Sequence, residues 1–287
     1  MVINVVGGIG KVRAAGGVLV GALAAGAVAM GPAPVAGATC ISAFGLGNSA
    51  DCRSTIGSVA IAVGTGAQAA ADGLLGVAFA LGTDAVAVNS LNGVGNVAVA
   101  IGDNSLVNAQ GYVSFAIGTG GATVAGQDGS FGNLAITVGG SAPQQTLTAG
   151  VGNLAVTLFG TGACSAIGIL NNAFNVGSTG FNNVAARGNL SGATNLFGTS
   201  DVQTNGASLL SSAFNVGGSG NTVAAGPGPL AIAGSVLLTG QTISKVGPGI
   251  NINGLVIGGA ASEKAPAATA RQTKRTGPAT ATRSTRN

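Results

Sequence analysis

Three cysteines, a scatter of aspartates and a basic terminus are the side chains in this sequence whose types could do chemistry. Cys40 and Cys52 flank a short loop, and in an oxidising compartment two thiols so spaced are expected to pair. Closing a loop of that size contributes roughly 2–3 kcal/mol on the chain-entropy view. Cys164 is the odd one, and with no histidine in the chain to activate it it reads as a small apolar core residue rather than a nucleophile. Over residues 57–258 the aspartates Asp72, Asp84, Asp103, Asp128 and Asp201 stand against Arg187 and Lys245, a net charge of −3. Each aspartate lies in or beside a turn signal, as in Asp72-Gly73 and Asp128-Gly129. They do not recur at one offset, so a calcium-binding stack of the Gly/Asp nonapeptide kind is not expected. General acid–base catalysis needs several positioned titratable groups, and these are too few and too dispersed. The expectation is a non-enzyme with no catalytic residue, cofactor, metal or small-molecule substrate.

The basic residues concentrate at one end. Residues 260–287 carry Lys264, Arg271, Lys274, Arg275, Arg283 and Arg286 against Glu263, net +5, among Ala, Thr, Pro and Ser. That composition buries too little apolar surface to order itself, so a disordered tail is expected. Its charge suits an anionic envelope polymer, with strong salt dependence. No aromatic residue interleaves with the charges, so nucleic acid is not expected as a partner. At the other end, residues 1–38 read as a secretory signal helix, with Lys11 and Arg13, a Gly/Ala-diluted apolar stretch and Ala36-Gly37-Ala38 as the cleavage site. An uncleaved anchor is the alternative.

What must position any of this is a repeat. Asn96-Val97-Ala98-Val99-Ala100-Ile101-Gly102-Asp103 returns in near copies, closing on Val63, Leu81, Ile101, Ile117, Val138, Leu158, Val176, Phe197 and Val216 and more faintly on Leu238 and Ile257. Large and small residues alternate with period two, the pattern of a strand with one buried face. Glycine follows the closing residue, as at Gly64, Gly82 and Gly102, and turn residues follow the glycine. A spacing near twenty marks one stacking unit, so the expected fold is all-β: a parallel β-solenoid of about ten coils, with the signal helix before it and the disordered tail after it. The domains are then 1–38 signal, 39–56 a disulfide-clipped cap, 57–259 solenoid and 260–287 tail. Proline-containing stretches near Gln144, Gly226-Pro227-Gly228-Pro229 and Gly247-Pro248-Gly249 are expected to bulge as loops.

Large aliphatics ordinarily go inside. On that rule Val59, Ile61, Val63 and their counterparts form the core, worth on the order of 1.5–3 kcal/mol each. The small residues then make a flat outer wall that serves as the interaction face. Ala60 and Ala62 belong to that wall, with Ala78 and Ala80, Ala98 and Ala100, Ser114 and Ala116, Ala135 and Thr137, and Ala155 and Thr157. Either self-association into a homo-oligomer or binding of a repetitive ligand is expected through this wall. A charge at Ile101 should unzip the array, and a change at Ala98 should matter little.

The stretch Ser58-Val59-Ala60-Ile61-Ala62-Val63-Gly64-Thr65-Gly66-Ala67-Gln68-Ala69 resembles the head repeats of trimeric autotransporter adhesins, whose S-V-A-I-G-x-x-A-x-A units form a parallel β-roll; the units here are longer. The Asn/Gly-rich half, Phe174-Asn175-Val176-Gly177-Ser178-Thr179-Gly180-Phe181-Asn182-Asn183, is similar instead to mycobacterial secreted Gly/Ala/Asn-rich repeat proteins. These resemblances imply a secreted or cell-surface protein and carry over no catalytic residue. Charged residues at 6%, 53 glycines, one Tyr and no Trp fit a structural repeat better than an enzyme. The reading is a secreted, non-enzymatic structural or adhesive protein of the bacterial cell envelope. The alternatives are a polyanion- or ice-binding solenoid, the latter from Thr65, Thr83, Thr119, Thr161 and Thr199, and an outer-membrane protein. An outer-membrane barrel needs strands of about 9–11 residues, twice the length of these alternating runs.

Overall fold

The computed structural model describes residues 39–258 other than Asn48, 140–143 and Phe181. The signal helix and the basic tail therefore lie outside the described residues. What is described is all-β: a parallel β-solenoid of about ten coils, built on a 14-stranded and a 13-stranded sheet. Each coil contributes a five-residue strand such as Val59–Val63, Val77–Leu81 or Val97–Ile101 to the first sheet. It then turns and contributes a strand such as Gln68–Ala71, Val86–Asn89 or Leu106–Ala109 to the second. Equivalent residues of the first sheet stack one above another in register, Val59 on Val77 and Val77 on Val97; the second sheet shifts register once, between Thr199 and Asp201.

Both ends are closed by a reversal of direction. Thr39–Ala43 runs antiparallel to Val59–Val63, with the short strand Leu46–Gly47 beyond it. Leu255–Ile257 folds back antiparallel on Gly249–Ile252 at the far end. Cys40 lies in register with Ala62 in the first sheet and Cys52 with Ala69 in the second. Their disulfide, with Cα atoms 5.6 Å apart, therefore joins the two sheets across the interior of the first coil. The stretches expected to bulge are instead partly absorbed: Gln144–Val151 is a strand with Gln144 buried, Gly228–Pro229 pairs with Ser208–Leu209, and Gly249 begins a strand.

The orientation of the strands reverses the expectation. Ala60, Ala62, Ala78, Ala80, Ala98 and Ala100 are completely buried or nearly so, as are Ser114, Ala116, Ala135, Thr137, Ala155 and Thr157. The small residues are the core, and the large aliphatics point outward. The cause is the width of the coil. With two short strands joined by tight turns, the sheets lie so close that Thr123 on the second donates a 2.7 Å hydrogen bond to Thr137 on the first. A gap that narrow holds Ala, Ser, Thr or Asn; a Leu or Phe from either side would force the sheets apart.

Facing columns compensate each other in volume. The inner column of the second sheet runs Ala69, Ala87, Val107, Thr123, Thr146, Cys164, Val184. The first sheet supplies Gly118 where Val107 and Thr123 project, and a Cβ there would lie 2.7 Å from Val107 Cγ2 and from Thr123 Oγ1.

Two outcomes follow from this packing. Ala98→Leu is expected to destabilise the array by about 1–3 kcal/mol or more through overpacking, whereas Ile101→Lys, at a site 38% exposed, should cost less than about 1 kcal/mol; urea denaturation followed by circular dichroism measures both. Gly118→Ala should cost about 1–3 kcal/mol, and combining it with Val107→Ala should cost less than the two separate losses added together.

Candidate interaction face

Because the small residues are consumed inside, each strand of the first sheet presents its odd positions outward. Val59, Ile61 and Val63 are followed by Val77, Phe79 and Leu81, by Val97, Val99 and Ile101, and then by Phe115 and Ile117. Leu134, Ile136 and Val138 stack next, below Leu154, Val156 and Leu158. Most of these side chains are half-buried by their own stacked neighbours; Val77, Leu81, Ile101 and Phe115 are exposed. The columns thin toward the C-terminus, where Asn172, Gly192, Ser212 and Gly234 take outward positions. No charged residue occupies an outward position on these strands. The corner before each strand adds exposed Leu75, Leu170, Leu190, Leu210 and Leu230, all in the left-handed backbone region. Such a conformation is uncommon for leucine, and here it brings the chain sharply into the next strand.

Beneath the corner runs a ladder that fixes the face in place. Asn96 Oδ1 accepts from the Ser114 N–H one coil on, Asn133 Oδ1 from Asn153 N–H, Asn153 Oδ1 from Asn171 N–H, and Asn171 Oδ1 from Ser191 N–H. Each buried amide thus meets a backbone donor that would otherwise be unsatisfied. Deeper inside, a chain of hydroxyls links Thr123, Thr137, Thr146 and Thr157 at 2.7–2.8 Å. Further on, Asn175, Asn195 and Asn215 stack amide on amide at 2.9–3.1 Å. The alternation was legible in the sequence; the ladder and the direction of the side chains were not read from it. A signal existed: the inner column at Ala60, Ala78, Ala98, Ala116, Ala135, Ala155, Ala173, Ala193, Ala213 and Ala233 never changes size, while the outward columns range from Phe to Gly.

The remaining polar side chains do not converge. Among the described residues no group of three or more His, Cys, Asp or Glu could hold a metal ion. Arg53 pairs with Asp72 at 2.5 Å beside the N-terminal cap. Exposed Asp103 accepts from the Thr83 N–H at 2.8 Å; that bond and the Thr83 hydroxyl hold its carboxyl below the usual value. Lys245 is fully buried in line with Ala225 and donates to the Val246 carbonyl. Arg187 borders a shallow hollow of about 170 Å³ with Gln203 and Asn205, with no carboxylate in its lining. Of the threonines that suggested an ice lattice, Thr65 and Thr83 are exposed, but the next coil places Asp103 in line with Thr83, and Thr161 is tied to the Gly180 carbonyl.

Cys164 lies in the inner column of the second sheet, buried, its thiol donating to the Val156 carbonyl at 3.5 Å. Burial pushes it up from 9.0 to about 12. Comparison with protein-family models, curated proteins and solved structures finds no match for this chain.

The thiol gives a direct test of the interior. The folded chain is expected to resist alkylation at pH 8 and to react only after denaturation, as followed by mass spectrometry. Because its folded pKa is raised, the neutral thiol's contribution to stability is present below pH 9 and is lost between pH 9 and about 12, where the unfolded chain ionises and the folded one does not. A thermal melt of Cys164→Ala beside the unmodified chain over that range should show the smaller pH dependence in the variant.

Proposed function

We propose that this chain is a secreted, non-enzymatic structural or adhesive protein of the bacterial cell envelope, and that its interaction surface is the outward aliphatic face of the first sheet. The observation that carries the reading is the continuity of that face, three columns wide over its first coils and free of charge. At about 4.8 Å per strand and about 6.6 Å between outward positions on one strand, those first coils alone, at roughly 500 Å², equal the larger of the patches of about 300–600 Å² that soluble monomers commonly leave exposed. An exposed surface of this kind marks a contact with another macromolecule.

Three further features support the assignment. A disulfide between Cys40 and Cys52 suits an oxidising compartment outside the cytoplasm. Among the described residues the dispersed titratable groups offer no pair positioned for acid–base chemistry. The basic stretch at residues 260–287, carrying net +5, is suited to hold the solenoid to an anionic envelope polymer, leaving the aliphatic face to make the specific contact.

Cell fractionation tests the two parts separately. The full chain is expected in the envelope fraction. Deleting residues 260–287 should make its retention sensitive to wash conditions that leave the full chain bound. Changing Phe79 and Ile117 together to Lys should reduce retention even with the tail intact. Recovery of all three forms in the cytoplasm would refute the assignment.

A further inference from the structure

The aliphatic face has an area, a chemistry and a repeat that together select one kind of occupant. From Val59–Val63 to Gly249–Ile252 the first sheet stacks its strands in register, and at about 4.8 Å per strand this gives a face about 50 Å tall. Three outward positions spaced by about 6.6 Å, with their side chains, make it about 18 Å wide. The whole face is roughly 900 Å², of which the first six coils, three columns wide, supply about 500 Å² and the later coils, where Asn172, Gly192 and Ser212 interrupt the first column, the rest; only the full height reaches the approximately 800 Å² that each partner contributes to a stable protein interface.

Residues 260–287 are not suited to cover it: they contain no Val, Ile, Leu or Phe and carry net +5. A lipid surface fits poorly, since segments that lie on membranes flank their apolar side with Lys and Arg. Here the turn that follows the face carries exposed Asp84 and Asp103, and the repeat region as a whole is net −3. A second copy of the chain fits on each count. Its face bears no charge to repel the first, and its rows rise by the same strand spacing, so ridges and furrows remain matched along the full height. Sheets that pack face to face do so through interdigitating side chains of this size.

We infer that the chain self-associates through this face, two solenoids packing first sheet against first sheet into a sandwich whose dry layer is supplied equally by both copies. The contact is isologous, centred on the first five coils, where Ile61, Phe79, Val99, Ile117 and Ile136 form the middle column, Val156 after them being already buried. Each copy would then have two apolar layers: the narrow alanine interior of its own coil, and the wider aliphatic layer shared with its partner. The inference rests on the reading of this face as the interaction surface.

Sedimentation equilibrium of the full chain in detergent-free buffer tests it. A dimer is expected at micromolar concentration. Changing Phe79 and Ile117 together to Lys should weaken self-association at least about a hundredfold, with the far-ultraviolet circular dichroism unchanged. The matched second-sheet variant, with Val88 and Val124 changed to Lys, should remain dimeric. A monomer at about 100 µM, or a dimer that survives the Phe79 and Ile117 changes, would overturn the inference, and the sedimentation of the unmodified chain decides this even if a variant fails to fold. A monomer that binds neutral phosphatidylcholine vesicles through the face would also overturn it. Loss of envelope retention in the face variant of a chain that proves monomeric would overturn only the second copy as occupant, leaving the face as the interaction surface.

Discussion

The width of the coil interior governs this molecule. Two strands, of four or five residues in the first coils and up to eight in the second sheet further on, joined by tight turns, hold the sheets so close that hydroxyls on opposite strands touch. The inward positions of the first sheet must then be small, and even the larger Val107 that projects from the second sheet is met by Gly118. An alanine contributes little apolar area on its own, so the array is held by the sum of its backbone ladders and by uniform close packing rather than by a few large buried side chains. Coils that each contact only their neighbours gain stability along the stack, and reversed strands cover the first sheet at its two ends, with the Cys40–Cys52 bridge tying one of them to the second sheet.

A narrow interior also tolerates polarity, provided each group finds a partner. Along the stack the second inner column of the first sheet passes from Ala62, Ala80 and Ala100 through Gly118 to Thr137 and Thr157, and then to Asn175, Asn195 and Asn215. Threonine hydroxyls bond to one another across the gap, and asparagine amides bond to the amide above. Stacking identical residues at one strand spacing allows a single geometry to be repeated, so that along Asn175, Asn195 and Asn215 one coil's acceptor meets the next coil's donor. The same arithmetic places the corner asparagines, whose side chains reach backbone N–H groups that the turn leaves free.

The face follows from the core. A chain that fills its interior with alanine and still alternates with Val, Ile, Leu and Phe must place those residues outside, and in-register stacking gathers them into one continuous surface. Scattered exposed aliphatics are ordinary; three aligned columns are a surface with a direction and a repeat. Among the described residues the titratable groups are dispersed, paired or buried one at a time.

The amino-acid sequence by itself determined the strand, the turn and the stack. Period two, the glycine after each closing residue and a recurrence near twenty are local signals, each set by backbone sterics and readable without knowing what lies opposite. The pairing of Cys40 with Cys52 was legible for the same reason. Which side of the strand faces in was not, because alternation is symmetric: Ala98 and Ile101 carry the same pattern whichever face is buried, and a shift of one residue exchanges them. The constant size of the alanine column was the one hint in the sequence; the closed coil decides, since the separation of the sheets is a property of two turns and two strands together. That separation admits Ala98 and excludes Ile101, so the usual preference for burying the larger side chain gave way to the space available.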